Sequence, residues 1–150
     1  MRKAVVVLAL VVLATASASA DISIGGEYLF YSTGLSHNAL LSLRLWPQPI
    51  QLGLGMRFGS SPQFSITGDY WLKAGKFSGP FGYYVAVGGF VNLPNPVSFG
   101  ARVPIGLQLW PLGDVLEIFV EAIPYAGIQV VPSTGSDFGV GLGAGFRFWL

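Results

Sequence analysis

With 150 residues, 52% of them apolar and only 10% charged, the chain suits one domain and carries well under half of the roughly 25% charge of an average soluble domain. A formal net charge of +1 with no basic patch excludes an electrostatic nucleic-acid binder. The lack of cysteine excludes a disulfide framework, a thiolate metal site and a lipid-acceptor cysteine.

The first twenty residues read as a cleaved secretory signal peptide. Arg2 and Lys3 form its positive end, Ala4 to Ala14 is an uncharged apolar run, and Ala18-Ser19-Ala20 supplies small residues before Asp21. The run falls well short of the roughly 20 residues that span a bilayer as a helix. Residues 1–20 are therefore assigned to the signal and 21–150 to a single barrel domain. Beyond the signal stand six basic side chains (Arg44, Arg57, Lys73, Lys76, Arg102, Arg147) and seven acidic ones (Asp21, Glu27, Asp69, Asp114, Glu117, Glu121, Asp137).

Eight strands follow, over 21–31, 39–46, 50–58, 64–72, 81–91, 98–110, 115–128 and 137–150. Turn residues separate them, among them Pro47-Gln48-Pro49, Gly79-Pro80, Asn92 to Pro96, Pro111-Leu112-Gly113-Asp114 and Pro132 to Ser136. No stretch has a capped 3.6-residue period, so the domain is predicted to hold no helix. Most strands have about the 9–11 residues of a tilted transmembrane strand. In the last one, Phe138, Val140, Leu142, Ala144, Phe146, Phe148 and Leu150 alternate with Asp137, four glycines, Arg147 and Trp149.

The parity of the charges sets inside against outside. On the face opposite the apolar one lie Glu27 of the first strand, Arg44 of the second, Arg57 of the third and Asp69 of the fourth. Arg102 lies on that face of the sixth strand, Glu117 and Glu121 on the seventh and Arg147 on the eighth. Four acids and four arginines thus share one face, and a buried charge needs a partner because an orphan costs about 3–5 kcal/mol. A closed eight-stranded barrel has an interior just wide enough for side chains to fill. The expected fold is an all-β, eight-stranded antiparallel up-and-down transmembrane barrel with an ion-paired lumen. A soluble barrel with the faces exchanged would show water only about one charge per strand, which is thin for solubility.

Trp46, Trp71, Trp110 and Trp149 fall late in the even-numbered strands, which all run the same way. They mark the periplasmic end, either as an interfacial belt or, by strict parity, as an inward plug. Tyr28, Phe30, Tyr70, Phe81, Tyr83, Phe99 and Phe138 are outward candidates for aromatic girdles. Leu43 to Pro47, Leu107 to Pro111 and Phe146 to Trp149 echo one another, as the same barrel edge met again.

Phe99-Gly100-Ala101-Arg102-Val103-Pro104-Ile105-Gly106-Leu107, Glu117 to Pro124 and the closing strand resemble the small outer-membrane barrels of the OmpA/OmpX type, including OmpX-like barrels of spirochaetes. The final strand also resembles the C-terminal signal read by the barrel-assembly machinery, although that signal usually ends in Phe or Trp and this chain ends in Leu150. The resemblance implies the cell outer membrane of a Gram-negative bacterium and no settled activity. Outer-membrane lipid and the assembly machinery are the expected partners. A surface ligand could act through the outer loops near Ser32–Asn38, Gly59–Gln63, Asn92–Val97 and Gln129–Ser136. The barrel is expected to be a monomer with a structural or surface-interaction role.

No cofactor, metal or catalytic site is expected. Gly139-Val140-Gly141-Leu142-Gly143 has the glycines of a phosphate loop but no helix after it. Glu117 and Glu121 lie about 13 Å apart along one strand face, too far to share acid–base work, so arginines are their expected partners. The single His37, beside Ser36, offers one alternative, a lipid A-modifying enzyme with Asp137 as the nearest acid. A secreted soluble barrel holding an apolar ligand is the other.

Overall fold

The computed structural model describes residues 21–31, 38–57 and 62–150. Among them run nine strands: β1 (Asp21–Tyr31), β2 (Asn38–Trp46), β3 (Ile50–Arg57), β4 (Gln63–Ser78), β5 (Phe81–Leu93), β6 (Val97–Arg102), β7 (Ile105–Leu109), β8 (Leu116–Val131) and β9 (Gly135–Trp149). Each neighbour pair is antiparallel, and β1 bonds to both β2 and β9, so the sheet closes on itself. Both β6 and β7 lie between β5 and β8. The nine strands therefore occupy eight positions of an up-and-down barrel, an architecture that leaves no free edge.

The sixth expected strand, 98–110, differs in being split at Val103-Pro104. Its register is the same on both sides of the break, with Gly88 opposite Arg102 and Val85 opposite Ile105. The ladder survives one-sidedly there. Ala86 donates to the Pro104 carbonyl at 2.8 Å and Val103 donates to the Pro124 carbonyl at 2.9 Å. Neither Pro104 nor Pro124 has an N–H to return the bond.

Two hairpins outrun their expected limits. The alternation in the sequence ends the fourth strand at residue 72, but β4 continues to Ser78, with register shifts between Trp71 and Lys73 and between Lys76 and Ser78. These bulges change which face each side chain takes, so alternation fails although pairing continues. The β4–β5 hairpin thus projects at the end where Asp21 and Leu150 lie, hereafter the terminal end. At the opposite, loop end, β8 and β9 stay paired up to Gln129 and Gly135.

Side chains alternate as a barrel requires. Outward, Ile24, Tyr28, Phe30, Leu54, Ile66, Tyr70, Phe99, Ile105, Leu107, Val120, Leu142, Phe146 and Phe148 are all exposed. Inward, the buried set includes Ser23, Glu27, Ser42, Arg44, Gln51, Thr67, Asp69, Arg102, Gln108, Glu117, Glu121 and Arg147. This is the reverse of a water-soluble protein. Residues 1–20, with the expected signal peptide, lie outside the described residues.

Candidate functional site

The barrel interior is polar and layered. Nearest the loop end, the Ser65 hydroxyl donates to Asn92 Oδ1 at 2.6 Å, Asn92 Nδ2 donates to the Ser98 hydroxyl at 3.0 Å, and Gln63 Nε2 donates to the Pro96 carbonyl at 3.2 Å. The rings of Tyr31 and Phe90 pack edge-on against Tyr125, which donates to Asp137 at 3.4 Å.

Below this layer Arg102 meets Asp69 through two parallel bonds, Nε to Oδ1 at 2.8 Å and Nη2 to Oδ2 at 2.5 Å. This bidentate fork is the strongest form of the pairing. The two residues are not on adjacent strands. Asp69 is opposite Gly88, and Gly88 is opposite Arg102, so β5 runs between the partners. The guanidinium crosses above Gly88, where a Cβ would lie only 2.8 Å from Asp69 Cα.

The same device recurs at Gly106, which sits between Tyr84 and Glu121 in register. The Tyr84 ring passes over it and its hydroxyl donates to Glu121. At Gly25, Arg147 reaches over β1 to donate from Nε to the Ser42 hydroxyl at 3.0 Å. Inward glycines therefore serve as saddles, which let long side chains bridge to the second strand along.

Toward the terminal end a second charge cluster forms around Glu117. Arg147 Nη1 donates to it at 2.8 Å, Gln108 Nε2 at 2.6 Å and Trp149 Nε1 at 3.1 Å, while Arg44 Nη1 lies 3.8 Å away. The Arg44 guanidinium is 3.4 Å from the ring centre of Trp71, which in turn stacks on Tyr84 at 3.9 Å and donates to Gln51 at 3.1 Å.

Seven of the eight expected lumen charges are thus buried inside the barrel, five of them gathered around Asp69 and around Glu117. Arg57 differs: it is only half-buried at the loop end of β3 and has no ion pair with a described residue. Glu121 has Tyr84 rather than an arginine as its direct partner. Glu27 faces Glu121, with Arg102 and Arg147 as its neighbouring cations.

The tryptophans divide between the two readings. Trp71 is buried as a plug, Trp46 is half exposed, and Trp110 and Trp149 are intermediate, 5.8 Å apart at the mouth. Of the girdle candidates, Tyr28, Phe30, Tyr70, Phe81, Phe99 and Phe138 are exposed, while Tyr83 is intermediate and stacks on Phe77. Ser36 and His37 lie outside the described residues. Among the described residues no cluster of histidine and acidic side chains has the arrangement to hold a metal ion.

Fold and interior together define an all-β, eight-position up-and-down barrel with its charges turned inward. No family model matches the sequence, and no curated protein matches it. Among solved structures the chain is similar to the N-terminal β-barrel domain of Pseudomonas aeruginosa OprF, at 16% identity and a TM-score of 0.48, over 85% of this chain and 97% of that one.

Proposed function

We propose that this chain is an integral outer-membrane barrel, closed to solutes by its ion-paired interior, with a structural or loop-mediated role in the envelope rather than a catalytic one. The observation that carries the reading is the in-register sorting of side chains around a closed sheet. Apolar residues cover the outside from Ile24 to Phe148, while seven of the expected charges are buried within. Contiguous apolar surface on a soluble monomer rarely exceeds a few hundred Å², and a bilayer is the solvent that such a belt suits. The exposed charges Asp21, Lys73, Lys76 and Asp114 gather at the terminal end, where they would meet the headgroup layer and water.

Closure is tested in planar bilayers. Purified barrel produces no stable conductance, and discrete, reproducible channel openings contradict a filled lumen. The envelope role is tested by deletion. Loss of the protein raises uptake of an apolar fluorescent dye by intact cells and re-expression restores the barrier; unchanged uptake contradicts a structural role.

A further inference from the structure

At the terminal end, beside the mouth of the barrel, a cleft of about 300 Å³ opens between the projecting β4–β5 hairpin and the turn that joins β7 to β8. Ala74, Gly75 and Lys76 form one wall, Trp110 and Asp114 the other, and Trp46, Gln108 and Trp149 line the rest with Arg44. Lys76 and Asp114 span the walls with a 3.4 Å ion pair.

Arg44 is the feature that the closed-barrel reading leaves unused. It is 5% exposed, yet among described residues its only ion pair is the 3.8 Å approach to Glu117, and its Nε hydrogen-bonds no described residue. Its flat face rests on Trp71, with Trp149 at 5.1 Å and Trp46 at 5.9 Å. Stacking occupies the face of a guanidinium and leaves the N–H donors around its edge free to bind. Glu117 is already satisfied by Arg147, Gln108 and Trp149. Two arginines thus face Glu117, and Arg44 is the one without a close oxygen partner among the described residues. A desolvated guanidinium in that position is costly unless an anion reaches it.

We propose that this cleft binds a small organic anion, whose carboxylate or phosphate is taken by the edge of Arg44 and whose ring or apolar body packs between Trp46, Trp110 and Trp149. Lys76, exposed at the rim, supplies a second, solvated cation that exchanges its Asp114 partner for the ligand. The volume is at the lower end of ligand sites, so the ligand is one headgroup or one small metabolite rather than a polymer. An anionic lipid headgroup and a free soluble anion share this chemistry.

The test uses the purified barrel in neutral micelles, with phenyl phosphate as probe and tryptophan fluorescence as the readout. Saturable quenching is expected, about tenfold tighter than with phenol or inorganic phosphate, each of which offers half of the recognition. Arg44→Met weakens it by at least about tenfold, with folding verified by the migration of unboiled protein. Should that variant fail to fold, the rim variants Lys76→Met and Trp110→Ala decide instead, by lowering the affinity while the lumen stays intact. Doping the micelles with short-chain phosphatidylglycerol separates the two sources. A response to the lipid alone assigns a headgroup, a response to phenyl phosphate alone assigns a soluble anion, and a response to both assigns the shared chemistry. No saturable response to either, or an unchanged response in the folded Arg44 variant or in both rim variants, overturns the site.

Discussion

At the scale of single residues the interior stands or falls on partnered charges. Arg102 and Asp69 are each about 99% shielded and bound through two contacts. Arg102→Met should cost about 3–5 kcal/mol by stranding the carboxylate, whereas Asp69→Leu combined with Arg102→Met should recover most of that loss. Urea unfolding in lipid measures both; a double variant no better than the single would show that the pair does not act as a unit. Gly88→Ala tests the saddle. With its Cβ 2.8 Å from Asp69 Cα, the strands must shift, at a cost of about 1–3 kcal/mol, and an unaffected midpoint would show that β5 yields freely. Tyr84→Phe removes the donor to Glu121 and should cost about 1–3 kcal/mol by leaving a buried acceptor unmet.

Which residues face inward was legible in the sequence, because a period of two needs only the chain itself. Who meets whom was not. Arg102 pairs across β5 and Tyr84 across β7, and both depend on register and on an intervening glycine. Parity also placed Arg57 inside, but it sits at the end of β3, where the barrel opens and a side chain need not be fully buried.

At the scale of elements, the split between β6 and β7 is the local weakness of the sheet. Pro104 accepts from Ala86 and returns nothing. Pro104→Val, of similar volume and higher strand propensity, restores a donor and should raise stability by about 0.5–1.5 kcal/mol. A lower unfolding midpoint would mean that the break is required for packing around this buried position. The proline itself was the visible signal, since a ring nitrogen inside a strand interrupts a ladder. The extension of β4 was hidden for a different reason. Lys73, Gly75 and Lys76 spoil the alternation, and only the pairing with β5 shows that the strand continues through its bulges.

At the scale of the whole molecule, one sorting rule joins sequence and fold. A polar interior and an apolar exterior are inverted relative to a protein folded in water, and closure leaves no edge strand to pair elsewhere. Trp71, Tyr84 and Phe119 pack together inside the barrel, where Trp71 and Phe119 take the faces of Arg44 and Arg147. The charges around Glu117 meet the terminal-end cleft through Arg44, which gives the two ends of the barrel different chemistry.

The most direct measurement is fractionation of expressing cells, with boiled and unboiled samples run side by side. The protein should be found in the outer-membrane fraction, and its unboiled form should migrate at a different apparent size, as a closed sheet that resists the detergent does. A soluble protein in the periplasm or medium would contradict the assignment of the apolar face to lipid and would require that face to be covered in some other way.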